Sequence, residues 1–137
     1  MIEINNLTNF AVDKKFLTGV AKKVLKGENR KRENISIAFI SSGEIKKLNQ
    51  KYRKKNKPTD VLSFSKTLDF KSGVAEIVIC PEVVKENAKK YGVPAKKEMM
   101  KVFTHGILHI LGYEHEKSKK EAMRMEEKEK HYLSMAV

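Results

Sequence analysis

The sequence predicts a single α/β (α+β) domain, with about five helices packed on a mixed sheet of about four strands and a long apolar helix at the centre. Two observations predict it. Apolar residues recur at helical spacing in some stretches and as short β-branched runs in others, and the two kinds alternate along the chain. The chain is 137 residues long, and no linker, repeat or low-complexity tract divides it. A domain of this size buries roughly two-thirds of its unfolded surface, so it needs no disulfide framework.

The elements follow in order. Ile2 to Leu7 reads as a short strand. Asp13 is placed to cap a helix from Lys14 to Lys26, where Phe16, Leu17, Val20, Ala21 and Leu25 share a face and Gly27 ends it. Ile35 to Ile40 alternates and is β-branched, which predicts a strand. Ser41 or Ser42 caps the next helix, about Gly43 to Tyr52, with Ile45 and Leu48 inward. Pro58 forces an extended entry to the strand Val61 to Phe64. A turn at Lys71-Ser72-Gly73 leads to the strand Ala75 to Cys80. Pro81 opens a helix to about Lys90, which Gly92 closes. Pro94 then opens the central helix, which runs to Leu111. There Met99, Met100, Val102, Phe103, Ile107, Ile110 and Leu111 wrap most of the circumference. A last, mixed-charge helix covers about Ser118 to Leu133. The short connection from Ser65 to Val74 suggests an antiparallel pair, the other strands being parallel; strand order is left open. The six methionines read as core filler.

Composition narrows the class. One cysteine, Cys80, cannot form an internal disulfide, which fits a reducing cytoplasm. No basic start with an apolar run marks a secretory signal, and no stretch reaches the roughly 18 apolar residues of a membrane span. The expectation is a soluble cytoplasmic protein. Its formal net charge is +12, from 29 Lys+Arg against 17 Asp+Glu, which favours a polyanionic partner. The excess is concentrated: Lys46, Lys47, Lys51, Arg53, Lys54, Lys55 and Lys57 occur with no intervening acid.

Three of the four histidines lie within eleven residues, His105, His109 and His115, in the spacing H-x3-H-x5-H. Residues four apart share a helix face, so His105 and His109 can aim at one point. Gly112 can adopt positive φ and return the chain so that His115 reaches it too. Three imidazoles match a zinc site with one position open for water, one ion per chain; nickel, copper and iron also accept such donors. The spacing is also that of the metzincin proteases, whose general-base glutamate follows the first histidine. Here Gly106 stands there, so a peptidase would lack its base; the glycine suits close packing beside the metal instead.

The full string His105-Gly106-Ile107-Leu108-His109-Ile110-Leu111-Gly112-Tyr113-Glu114-His115 resembles the H-G-x-L-H-L-x-G-Y-D-H signature of the YbeY endoribonuclease family, the bacterial rRNA maturation factors. Leu48 to Phe64 is similar to the family block L-N-x-x-Y-R-x-K-x-x-P-T-D-V-L-S-F, and Glu76 to Cys80 to its G-[DE]-I-x-I strand. Two departures bear on the site: Glu114 replaces aspartate and Ala75 replaces glycine.

The resemblance implies a zinc-dependent, single-strand-specific endoribonuclease acting in rRNA maturation at the small-subunit rRNA 3′ end and in ribosome quality control. Its partners would be rRNA and the small ribosomal subunit. Zinc would lower the pKa of bound water and polarise a phosphoryl oxygen. Arg53 is the candidate to stabilise phosphate charge, being planar and always ionised. Glu114 is the candidate catalytic carboxylate, with Glu116 as alternative and zinc hydroxide alone as another; Asp60 reads equally as an N-cap or turn residue, and the choice between water and the RNA 2′-hydroxyl as nucleophile stays open. Thr59 and Ser63 could touch phosphates. Lys46, Lys47, Lys51, Lys54, Lys55 and Lys57 are the expected RNA contacts. Aromatic stacking partners are sparse, Tyr52 and Tyr113 being the only two near the motifs, which favours backbone and shape recognition over base reading. Cys80 reads as a small core residue and His131 as exposed. Two other readings remain open: a noncatalytic RNA-binding protein stapled by zinc, and a metallohydrolase with a non-RNA substrate.

Overall fold

The computed structural model describes residues 1–64, 74–114 and 118–135. Within them run β1 (Ile2–Asn6), α1 (Lys14–Gly27), β2 (Ile35–Phe39), α2 (Ser42–Arg53), β3 (Val61–Phe64), β4 (Ala75–Ile79), α3 (Pro81–Tyr91), α4 (Ala95–Ile110) and α5 (Lys119–Met135). Every expected helix and strand forms, with ends moved by a residue or two. The expected turn at 71–73 lies outside the described residues.

Side-chain oxygens set the helix starts. Asp13 accepts from the Phe16 N–H, Ser41 from the Glu44 N–H and Ser118 from the Glu121 N–H. Pro81 stands in the first turn of α3, where its missing N–H costs nothing, and Gly92 closes that helix at φ +67°.

The sheet order is β1-β2-β4-β3. β1 and β4 flank β2 in parallel, and β3 runs antiparallel to β4, as the short connection suggests. Strand alternation divides the interior. Ile35, Ile37 and Phe39 of β2, with Ile77 and Ile79 of β4, meet α1 and α4 on one face. Leu62 and Phe64 of β3 join Val78, Cys80 and Ile45 of α2 on the other.

α4 is the centre of the larger layer, packing on α1, α3, α5, β3 and β4. Phe103, Ile107 and Leu108 are fully buried, and burial of such side chains contributes about 1.5–3 kcal/mol each. Gly106 sits where α4 touches the sheet. A Cβ there would stand 3.1 Å from Ile77 Cγ2 and 3.4 Å from Val61 Cγ2, so the glycine permits the approach. The methionines do not all fill the core: Met100 and Met125 are buried, whereas Met1, Met123 and Met135 are exposed. Met123 lies off the single stripe by which α5 docks, through Met125 and Tyr132. Among the described residues, no helix is long and apolar enough to cross a membrane.

Candidate active site

One turn of α4 separates His105 from His109, and their ring centroids lie 4.8 Å apart, edge to face. The sequence places them together and the structure does too. His105 Nδ1 also pairs with a carboxylate oxygen of Glu129, brought from α5. Glu129 was not legible beforehand, since it lies 24 residues away on a helix of mixed charge. His115 lies outside the described residues. Among those described, no group of three or more His, Cys, Asp or Glu side chains could hold a metal ion.

The donor chemistry nevertheless fits a divalent metal. A metal-bound histidine ordinarily donates its second ring N–H to a carboxylate, which fixes the ring and raises its basicity. With Nδ1 donating to Glu129, coordination by His105 would run through Nε2.

The two histidines open on a cleft of about 370 Å³. α4 supplies one wall with Glu98, Lys101 and Val102, and α3 contributes Asn87 and Tyr91. Opposite stand Arg53 and the strand-entry residues Thr59, Asp60, Val61 and Ser63. Strand alternation explains that wall: Leu62 and Phe64 point into the core, so Val61 and Ser63 face α4. Ser63 donates to the Gly106 carbonyl at 3.3 Å, which ties the two walls together. A larger apolar cleft of about 590 Å³ lies by Phe10, Phe16 and Met99, away from the histidines.

Beyond Arg53 the chain turns at Lys54, which adopts the left-handed conformation at φ 57°. The buried Asn49 then donates to the Lys57 carbonyl at 2.9 Å and fastens the loop. Lys55 and Lys57 line a second cleft of about 330 Å³ that shares Arg53, Thr59, Asp60 and Asn87 with the first. Lys46, Lys47, Lys51 and Lys54 are exposed but line neither.

Tyr113, expected among the aromatics near the motif, is buried and donates to Glu28 at 2.5 Å; Tyr132 donates to the other oxygen of the same carboxylate. Lys128 adds an ion pair at 3.2 Å. Burial pushes the Glu28 carboxyl up, but the bonds from Tyr113, Tyr132 and Lys128 outweigh it and hold the group below its ordinary value. Burial and the same carboxylate push both tyrosines up. This cluster anchors the chain just after Gly112, at φ +105°, where it leaves α4. Glu114, next in line, is exposed and does not line the cleft, so the structure does not bring this candidate to the histidines. Tyr113 takes the inward direction, and its neighbour is left facing out. Cys80 is buried in the core, as expected, and burial raises its thiol pKa. His131 is exposed, also as expected.

Sequence and structure comparisons identify the family. A family model described as Endoribonuclease YbeY matches residues 3–136. The chain belongs to the YbeY family. A relative named Endoribonuclease YbeY from Bdellovibrio bacteriovorus is 43% identical over 104 residues, covering 76% of this chain and 67% of that one. One of the same name from Thermotoga neapolitana is 39% identical over 125 residues, covering 84% and 82%. The solution structure of TM1509 from Thermotoga maritima is similar at a TM-score of 0.70 and 32% identity, covering 99% of this chain and 89% of that one. Both long blocks by which the sequence resembles the family line the histidine cleft, one with Arg53, Thr59, Asp60, Val61 and Ser63 and the other with His105 and His109.

Proposed function

We propose that this protein is a zinc-dependent endoribonuclease that cleaves single-stranded RNA in the cleft between α4 and the entry to β3. The observation that carries the reading is the convergence of His105, His109 and Arg53 on one cleft, in a chain of the YbeY family. One zinc ion would be held by His105, His109 and His115, supplying Lewis acidity toward a phosphoryl oxygen and an acidified water. Glu129 holds the His105 ring through Nδ1. Arg53 binds the phosphate and offsets the charge that builds on its nonbridging oxygens during cleavage. Lys55, Lys57 and Lys101 draw the RNA backbone along the two joined clefts. The cellular setting that follows is cytoplasmic rRNA maturation on the small ribosomal subunit and ribosome quality control.

The test is cleavage of a labelled single-stranded RNA and of its duplex, with and without chelator, by wild type and Arg53→Ala. Cleavage of the single strand that chelator abolishes and that Arg53→Ala lowers by about 10²- to 10³-fold is expected. Equal RNA binding without metal-dependent cleavage would favour a zinc-stapled binding protein. Faster turnover of a non-RNA ester would favour another metallohydrolase.

A further inference from the structure

Glu98 is the feature of the cleft that phosphate chemistry leaves unexplained. It is 5% exposed, and it lines the cleft with the cations Arg53 and Lys101 and a second carboxylate, Asp60. Among the described residues no hydrogen bond or ion pair reaches its carboxylate, whose oxygens keep access to the cleft solvent. A carboxylate can only accept hydrogen bonds, and it repels the phosphates that Arg53 and Lys101 attract. Its ligand is therefore a donor-bearing group, not the RNA backbone anion.

Position along α4 sets Glu98 apart from the histidines. Glu98 precedes His105 by two turns, about 10 Å along the helix axis, and side chains lean toward the helix N-terminus, away from the histidines. A general base must stand within about 3 Å of the proton that it takes. Glu98 thus faces a part of the substrate beside the reacting phosphate.

Tyr91 completes the picture. It ends α3, lines the same cleft and is 57% exposed, an unusual exposure for an aromatic ring. Asn87, one turn earlier, lines the cleft with it. Single-stranded RNA is recognised by stacking splayed bases on aromatic rings and by hydrogen-bonding their Watson–Crick edges. Guanine alone among the four bases presents two adjacent donors there, N1–H and the N2 amino group, and they match the two oxygens of one carboxylate.

We propose that Glu98 and Tyr91 form a nucleobase subsite next to the reacting phosphate, with Tyr91 stacking the base and Glu98 selecting guanine. This rests on the RNA-cleaving assignment for its role in specificity, but binding alone can test it.

The experiment uses four oligouridine 12-mers that carry a single central G, A, C or U. Cleavage is measured with the zinc-loaded protein, and binding is measured separately by fluorescence anisotropy in chelator. Wild type is expected to prefer the G oligomer by about 5- to 150-fold in both, the span of a two-point base contact. Glu98→Gln, which replaces one acceptor with a donor, should collapse that preference while its melting temperature stays at the wild-type value. Tyr91→Ala should weaken binding of all four by about tenfold. Cleavage without base preference, or a preference that survives Glu98→Gln, overturns the subsite and leaves the nuclease standing. A guanine preference in binding that Glu98→Gln removes, without cleavage of any oligomer, supports the subsite and overturns the nuclease. The absence of both binding and cleavage, for every oligomer, overturns both.

Discussion

Replacing Gly106 by alanine sets two known terms against each other. Alanine is favoured over glycine inside a helix by about 1 kcal/mol. Against that, the new methyl would meet Ile77 Cγ2 at 3.1 Å and Val61 Cγ2 at 3.4 Å. Ile77 is fully buried in the centre of the sheet, and its Cγ2 is bonded directly to Cβ, so it has little freedom to retreat. Overpacking of a tight core costs about 1–3 kcal/mol, so the net expectation is a loss of about 1 kcal/mol. For a chain of this length that is a fall of about 4 °C in Tm. Gly19 supplies the control: it lies inside α1 and a Cβ there meets nothing within 4 Å, so Gly19→Ala should raise Tm by a few degrees. The assay is thermal and urea unfolding of both variants beside wild type. Equal stabilisation by the two would refute the claim that α4 is held this close to the sheet by the missing side chain.

Glu129→Ala should weaken zinc binding by about 10- to 100-fold in a competition titration with a chelating dye, as loss of a carboxylate behind a ligand histidine does; an unchanged affinity would show that the pairing does not serve the metal. The Glu28 cluster gives stability a pH signature. Glu28 titrates below its ordinary 4.5 in the folded chain, so its contribution is complete above that value and is lost as pH falls through the lower folded pKa. Tyr113 and Tyr132 titrate above 10, so theirs is complete below 10 and is lost as pH rises. Urea midpoints of Glu28→Gln should therefore show a shallower acid limb than wild type. For RNA binding, Lys55→Ala and Lys57→Ala should each reduce the salt slope by about one, and Lys46→Ala by less, in anisotropy titrations across salt concentrations. Equal reductions would place the RNA along α2 rather than in the joined clefts.

Legibility in the sequence followed the range of the interactions. The histidine face of α4 was plain because i and i+4 share a helix face, and the antiparallel β3–β4 pair because the connection is short. The insertion of β4 between β2 and β3 depends on how the helices cover the sheet, which no local pattern encodes. Glu129 and Glu28 are invisible for the same reason: each meets its partners across the fold, Glu129 from an ordinary charged helix and Glu28 from the residue that follows α1. Tyr113 stands beside the motif in sequence, but its hydroxyl is drawn inward by Glu28. Tyr91 was missed, although its i,i+4 spacing from Asn87 on α3 was a usable signal that the two could face one cleft. Asn49 shows the converse. Its place in the matched block was evident, but its work, holding the Lys57 carbonyl, needed coordinates.

Zinc content per chain, measured by mass spectrometry on wild type, His105→Ala, His109→Ala and His115→Ala, bears most directly on the account. About one ion per folded chain in wild type, falling to near zero in each variant with folding intact, is the predicted result. Full zinc retention in His115→Ala, or no zinc in any of them, would contradict it.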